Sequence, residues 1–343
     1  MLTTIRNAWK IPELRRKLLF TLVIILLYRI GNVIPVPGVN VQQMSLMFSQ
    51  QLSNTIFGLF DMMSGSAFSQ ATIFALSIQP YINASIIIQL LTFAIPALEK
   101  LAKEGESGRA KINKITKWTT LGIAVFQSFA YYLTLRNQGA LSYTTGLSMV
   151  LAAVVIVSCF TAGAMLVIWL GSLIDKNGIG NGISMLLFAG IIAEIPTSFG
   201  ATFKVLAETG EPLKIALIPI IIVIFVLMIA FIIFMDNAER RLPVQYAKRV
   251  VGRKMYGGQS SYLPIKIAMA GVLPIIFAMS FLSIPQTIQM FMSETTQQKP
   301  FWAGLFRVFS YTHPVYATIY FILIILFSYF YVSIQYNPLD IAN

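Results

Sequence analysis

Residues 213–235, LKIALIPIIIVIFVLMIAFIIFM, run directly into residues 236–266, DNAERRLPVQYAKRVVGRKMYGGQSSYLPIK, and the change of character at Asp236 decides how the chain is read. The first string has the ~20 apolar residues that a helix needs to cross a bilayer. The second carries seven Lys/Arg (Arg240, Arg241, Lys248, Arg249, Arg253, Lys254, Lys266) against two acids, Asp236 and Glu239, and a further long apolar run follows it. Connections between helices are usually ~2–8 residues. A basic segment of about thirty residues between two membrane-grade helices therefore predicts a docking surface for an anionic partner. A solvated loop that merely obeys the positive-inside bias is the plainer alternative. The length, together with the turn-forming Tyr256-Gly257-Gly258-Gln259, predicts instead a hairpin reaching beyond the bilayer.

The composition points the same way. With 57% hydrophobic and 11% charged residues and a mean hydropathy of +0.74, the chain is a polytopic helical membrane protein and not a soluble enzyme. Eight apolar runs of spanning length occur, at about 18–34, 71–95, 118–135, 147–173, 179–199, 213–235, 265–291 and 315–335. The fifth is the weakest, because Gly178, Gly180, Gly182 and Gly190 lower its helical preference and Glu194 lies near its end. Placing the N-terminus, the 96–117, 172–178 and 236–266 connections and the C-terminus on one side collects nineteen Lys/Arg there, against Arg136, Lys204, Lys214, Lys299 and Arg307 opposite. That asymmetry predicts cytoplasmic termini. Arg29, near the far end of the first span, either snorkels outward or pairs inside the bundle.

The first run follows basic residues, as a signal peptide does, but it is longer and ends in Ile34-Pro35-Val36-Pro37-Gly38 with no small-x-small cleavage site, so it reads as a retained helix. The single cysteine, Cys159, and single histidine, His313, lie in separate regions and make neither a nucleophile–base pair nor a metal site. No Gly-x-x-x-x-Gly-Lys-Ser/Thr loop is present to cradle ATP. The span centres lack the ladder of acids that proton-driven carriers use, with Glu194 and Asp236 expected close to span ends.

What the spans do hold is small, polar and helix-breaking residues. The second has Ser77, Gln79, Pro80, Asn83, Ser85 and Gln89, the third Gln127 and Ser128, the seventh Gly271, Pro274, Ser280, Ser283 and Pro285. Amides in hydrocarbon usually bond across helices; the alternative is a seam that opens to water or to a polar chain, and pattern alone leaves both open. Between the first two spans, residues 36–70 have no Lys or Arg and one acid, Asp61, while Ile56–Phe68 is apolar with interspersed Gly and Ser. It is too short to span and too apolar for solvent, which predicts a re-entrant segment covered by protein.

Four longer strings carry a specific likeness: residues 73–91 (IFALSIQPYINASIIIQLL), 103–109 (KEGESGR), 178–184 (GIGNGIS) and 263–274 (LPIKIAMAGVLP). They resemble the SecY family, the channel subunit of the bacterial Sec translocase, and the likeness extends over essentially the whole chain. It implies an all-α, inverted-repeat helical bundle in the bacterial cytoplasmic (inner) membrane. It implies also a protein-conducting channel that passes unfolded secretory polypeptides and releases hydrophobic segments laterally into lipid, with no enzymatic activity and no cofactor. On this frame 1–17 is the cytoplasmic N-terminus, 18–204 the first five-span half, and 213–343 an incomplete second half holding spans six to eight and the basic loop 236–266.

The resemblance also assigns roles. Ile78, Ile82, Ile183, Leu187 and Ile276 match a pore ring, a dry gasket of alkyl groups that can part without losing a hydrogen bond. Ile78 and Ile82, and Ile183 and Leu187, are spaced i, i+4, so each pair shares a helix face; taken alone, such residues read as ordinary packing. Residues 56–69, with Phe60, Asp61, Met62, Met63, Ser64 and Gly65, match the plug. Spans two, three, seven and eight match a lateral gate, with Asn83, Gln89, Gln127 and Ile284 along it. Arg109, Lys248, Arg249, Arg253 and Lys254 match cytosolic loops that dock the SecA ATPase or the ribosome, the only route to nucleic acid. SecE and SecG are the implied membrane subunits, with secretory and membrane proteins as substrates and the lipid bilayer as surroundings.

Two departures stand out. Leu187 replaces an expected isoleucine, a change that conserves volume. The sequence ends at Asn343, after eight of the family's ten spans, as a fragment or a split chain does. A secondary carrier for a small solute would share inverted repeats and midplane breaks but should place strongly polar ligands where this chain has aliphatic ones. A plain membrane scaffold leaves the apolar re-entrant segment and the basic loop unexplained.

Overall fold

The computed structural model describes residues 9–52, 56–143, 146–208, 212–244, 249–251, 254–256, 261–292, 299–310 and 313–335. Helices α1 (Pro12–Gly31), α2 (Val41–Met47), α3 (Ile56–Ser64), α4 (Gln79–Ala94), α5 (Pro96–Lys103), α6 (Glu106–Asn137), α7 (Gly146–Asn177), α8 (Gly182–Glu208) and α9 (Pro212–Asp236) are followed by strands β1 (Glu239–Val244), β2 (Arg249–Val251), β3 (Lys254–Tyr256) and β4 (Ser261–Lys266), then by α10 (Leu273–Phe291), α11 (Pro300–Val308) and α12 (Pro314–Gln335). A helix meets each of the eight predicted spans. Among the described residues, four of them, within α7, α8, α9 and α12, are long and apolar enough to cross a membrane, or five if α4 and α5 count as one broken span. The other expected spans fall short for local reasons. Glu13, Arg15, Arg16, Lys17 and Arg29 charge α1, Gln127 and two adjacent tyrosines dilute α6, and α10 is short.

Two spans start later than expected. Residues 72–78 are not helical: Pro35 bridges Thr72, the Ile73 amide donates to Ile34 O, and Ala71 and Ser77 hold positive φ, so helix begins only at Gln79. At the other end Pro96 forces Ile95 into extended backbone (φ −111°, ψ 112°), and α5 leaves at 101° to α4. Ile265 and Lys266, expected to open the seventh span, belong instead to strand β4, paired with Glu239–Val244. The basic connection is thus a ladder, β1 against β4 and β2 against β3. Its innermost described pair is Val251↔Lys254, which moves the tip inward from the turn expected at Tyr256–Gln259. Gly257, Gly258 and Gln259 lie outside the described residues.

The chain divides into two units, residues 1–198 with 279–320, and 199–278 with 321–343. In the first, α4 packs on α6, α6 on α7 and α7 on α1. Gly163 makes one of these approaches possible, since a Cβ there would lie 1.9 Å from Ile73 O. The core includes Val36, Met44, Phe48, Leu135, Ile156 and Phe160. In the second, α9 is apolar all round and largely exposed, as a helix facing lipid or a partner helix must be, and Phe199 meets Phe225 edge-on at 5.3 Å.

Candidate functional site

The segment 56–69, helix α3 and the turn that follows it, packs into the interior of the first unit. Phe57, Asp61, Ser64, Ala67 and Phe68 are buried. Phe68 lies between Phe57 (centroids 5.7 Å, 3° between planes) and Tyr131 (4.5 Å), each such pair worth ~0.5–1.5 kcal/mol beyond its buried area. Tyr131 Oη donates to Phe68 O at 2.5 Å, and Ser69 N donates to Asp61 Oδ1 at 2.7 Å. Burial pushes the Asp61 carboxyl up to about 6 from 3.8, against the pull of the Ser69 bond, with the charge of Glu194 adding to the rise. The segment is therefore a seated element held by both aromatic stacking and polar ties. Met62 alone of the expected set is exposed.

Its last turn is gripped from two helices. From α1, Asn32 Nδ2 donates to Ser64 O at 2.7 Å and Tyr28 Oη to the same carbonyl at 3.4 Å, while Arg29 presses its guanidinium against Gly65. From α8, Gly190 lies so close that a Cβ would come within 2.5 Å of Met63 O, and Glu194 accepts from Ser66 Oγ. Sequence reasoning missed Glu194. It was expected near a span end, but α8 runs on through Pro196 to Glu208, which puts the carboxylate mid-helix. Arg29 turns inward, but its buried Nη1 has no hydrogen-bond partner, so the pairing inside the bundle that was one of its two alternatives is not made there.

Among the ring candidates, Ile78 and Leu187 line one cavity of about 40 Å³, together with Phe60, Met63, Phe68 and Gln127. That is room for a water or so and not for a chain. Ile78 is the N-cap of α4 and accepts the Ile82 amide at 3.1 Å, so the two share the first turn and both are buried. Ile82 and Ile183 are not lining residues of this cavity. Ile183 packs instead on Gly171 of α7, where a Cβ would meet its Cγ1 at 3.0 Å. Ile276, half-buried in the first turn of α10, belongs to the second unit.

The gate candidates contain two unsatisfied amides. Asn83 Oδ1 and Gln127 Oε1 are buried with no hydrogen-bond partner, whereas Ser128 bonds Thr161 across α6 and α7 at 3.0 Å. Cross-helix bonding thus accounts for Ser128 and not for the two amides. Gln89 is half-buried and Ile284 exposed. Where α6 meets α10 the contact is aromatic: Phe291 stacks on Phe126 at 4.6 Å and leans on Phe129 at 6.3 Å. These three rings carried no distinguishing signal in an already apolar sequence.

In the second unit the ribbon places Arg240 and Arg241 on β1, Arg249 on β2 and Lys254 on β3. Arg249 pairs with Tyr256, and Glu239 stands opposite Lys266. Lys248 and Arg253 lie outside the described residues. Arg109, in the first turn of α6, is exposed.

The sequence model of SecY matches residues 72–343. The chain is similar to protein translocase subunit SecY of Streptomyces scabiei, 42% identical over 352 residues covering all of this chain and 79% of the relative. It is also similar to the subunits of that name from Streptomyces coelicolor, 43% identical over 355 residues, and Mycobacterium tuberculosis, 42% over 357, each again covering all of this chain and 79% of the relative. Among solved structures it resembles one described as a protein conducting channel (TM-score 0.56, 22% identity, 83% of this chain and 62% of that one). Sec61 of the canine ribosome-channel complex aligns with a TM-score of 0.52 at 21% identity, over 83% of this chain and 63% of that one. The chain spans less than two thirds of those channels, and at such identities the likeness concerns the fold. With a family model matching most of its length and relatives above 40% identity, this multi-pass, helical membrane protein belongs to the SecY family.

Proposed function

We propose that the chain is the protein-conducting subunit of a bacterial translocase, non-enzymatic and driven by a partner. The observation that carries this is the seated segment 56–69, an apolar, non-spanning piece of chain closed over a cavity that Ile78 and Leu187 line. In the closed state this plug, the aliphatic ring (Ile78, Ile82, Ile183, Leu187, Ile276) and the dry interior exclude ions. A polypeptide entering from the cytosolic side displaces the plug and parts the ring, whose alkyl groups lose no hydrogen bond in moving.

Lateral release follows from the seam. Asn83 and Gln127 hold buried carbonyl oxygens unpaired, a cost of ~1–3 kcal/mol each that water or a polar substrate backbone removes when the seam opens. The aromatic contact of Phe291 with Phe126 and Phe129 closes the seam again. Ile284 and Gln89 flank the same helices. The N-terminus and the β1–β4 ribbon face the cytosol on the charge asymmetry of the loops, and the ribbon, with Arg109, docks the SecA ATPase or a ribosome by charge complementarity. SecE and SecG cover the uncovered apolar faces within the bacterial inner membrane.

The test is transport itself. The full-length complex in proteoliposomes, supplied with the ATPase and an unfolded preprotein, is expected to carry the preprotein to a protease-protected lumen. Uptake of a small solute in place of the preprotein would instead make the chain a carrier.

A further inference from the structure

A carboxylate in the middle of an apolar helix is expensive, and Glu194 sits in such a place on α8 with Ser66 Oγ donating to its Oε2. Beside the same loop Arg29 Nη1 is buried with no hydrogen-bond partner, close to where a Cβ on Gly65 would fall, a point that also lies 3.1 Å from Gly190 O of α8. Ser66 and Gly65 both hold positive φ, 64° and 69°, and the turn they form is pinned at Ser64 O by Asn32 and at Ser66 Oγ by Glu194. The loop is thus tied both to the end of α1, through Asn32, and to α8, through Glu194. We propose that Glu194 is a positioning residue that latches the plug shut through Ser66, with Asn32 holding the adjoining Ser64 carbonyl, so that opening requires breaking a charge-assisted bond in a half-buried site.

The alternative is that Ser66 needs some acceptor and takes the nearest one. The two differ in consequence. A hydrogen bond to a charged group contributes about twice as much as a neutral one, and its loss corresponds to roughly ten- to hundred-fold in an equilibrium. Glu194 also lies close enough to Asp61 for its charge to act there, so the latch is tuned against a second carboxylate on the plug itself. Displacing the plug releases both burdens together: the Asp61 carboxyl regains water, and the Arg29 donor loses the loop that covers it.

This inference rests on the reading of 56–69 as a plug, and the experiment separates the two. In the full-length complex, with Cys159→Ser as background, Met63→Cys, at a half-buried position that lines the cavity while the segment is docked, reports plug position through its rate of modification by a membrane-impermeant maleimide, and preprotein transport is measured on the same vesicles. Ser66→Ala and Glu194→Ala are each expected to raise the modification rate about tenfold or more. The double variant should be no faster than either single one, because both remove one bond. Glu194→Gln, which keeps an acceptor without the charge, should fall between wild type and Glu194→Ala. Additive effects of the two alanines, or rates equal to wild type while transport proceeds, would overturn the latch and leave the channel reading standing. Absence of preprotein transport in the wild-type complex would remove the channel reading, and the latch with it.

Discussion

Gly190 is the residue whose change should separate seating of the plug from stability of the fold. A Cβ built there lies 2.5 Å from Met63 O and 3.3 Å from Met63 C, both backbone atoms of α3. Ordinary contact begins near ~3.4 Å, so the plug must retreat by roughly an ångström or α8 must bend. Overpacking of this kind costs ~1–3 kcal/mol, which shifts the docked-to-undocked ratio by about 5- to 150-fold. The same substitution gains up to ~1 kcal/mol of helix propensity. Gly190→Ala is therefore expected to leak ions while its unfolding temperature falls by less than the packing cost alone would give. Gly122→Ala, where nothing lies within 4 Å, should gain propensity without leak. Single-channel conductance of the full-length complex in planar bilayers reads the first effect and thermal melting the second. If Gly190→Ala conducts like wild type, the segment is not seated on α8 and the account of the closed state fails.

Three further outcomes are expected. Because docking raises the Asp61 carboxyl from 3.8 to about 6, protonation favours the docked plug. That stabilisation is complete below the undocked value and lost as pH rises through about 6, amounting to ~3 kcal/mol at most. Ion leak should then be lower at pH 5 than at pH 7.5, and Asp61→Asn should abolish the difference; a pH dependence that survives the substitution refutes the assignment. Tyr131→Phe leaves Phe68 O without its donor and should weaken docking by ~1–3 kcal/mol, read as a longer open time, while the stack on Phe68 is kept; wild-type open times would show that the bond does not hold the plug. Arg249→Glu with Lys254→Glu should lower affinity for the motor or ribosome and flatten its salt dependence, and equal binding across a salt titration would return the ribbon to a solvated loop.

Legibility followed the range of the interactions. Helix α9 was readable because its composition alone specifies it. The start of α4 was not, because residues 72–78 are as apolar as a helix but run as successive turns tied to Pro35 and Ile34. The seventh span was overextended for the same reason, its first residues being claimed by the β1 partner. Helix α8 looked weak on account of its glycines, yet Gly182 and Gly190 are there for close approach, to Gly171 O and Met63 O respectively, a tertiary demand that overrides propensity. Glu194 was misplaced because its partner, Ser66, lies 128 positions away. The burial of segment 56–69, by contrast, was legible from composition, since an apolar segment too short to span has to be covered.

The most direct test of the channel is where a polypeptide touches it in transit. With a photoreactive residue at Ile78, Ile82 or Leu187, a preprotein arrested mid-transfer in the full-length complex is expected to crosslink at each position. The same probe at exposed Trp169 on α7 should give none. Crosslinks at Trp169 with none at Ile78, Ile82 or Leu187 would contradict the account, because the translocating chain would then pass outside the ring that is held to seal it.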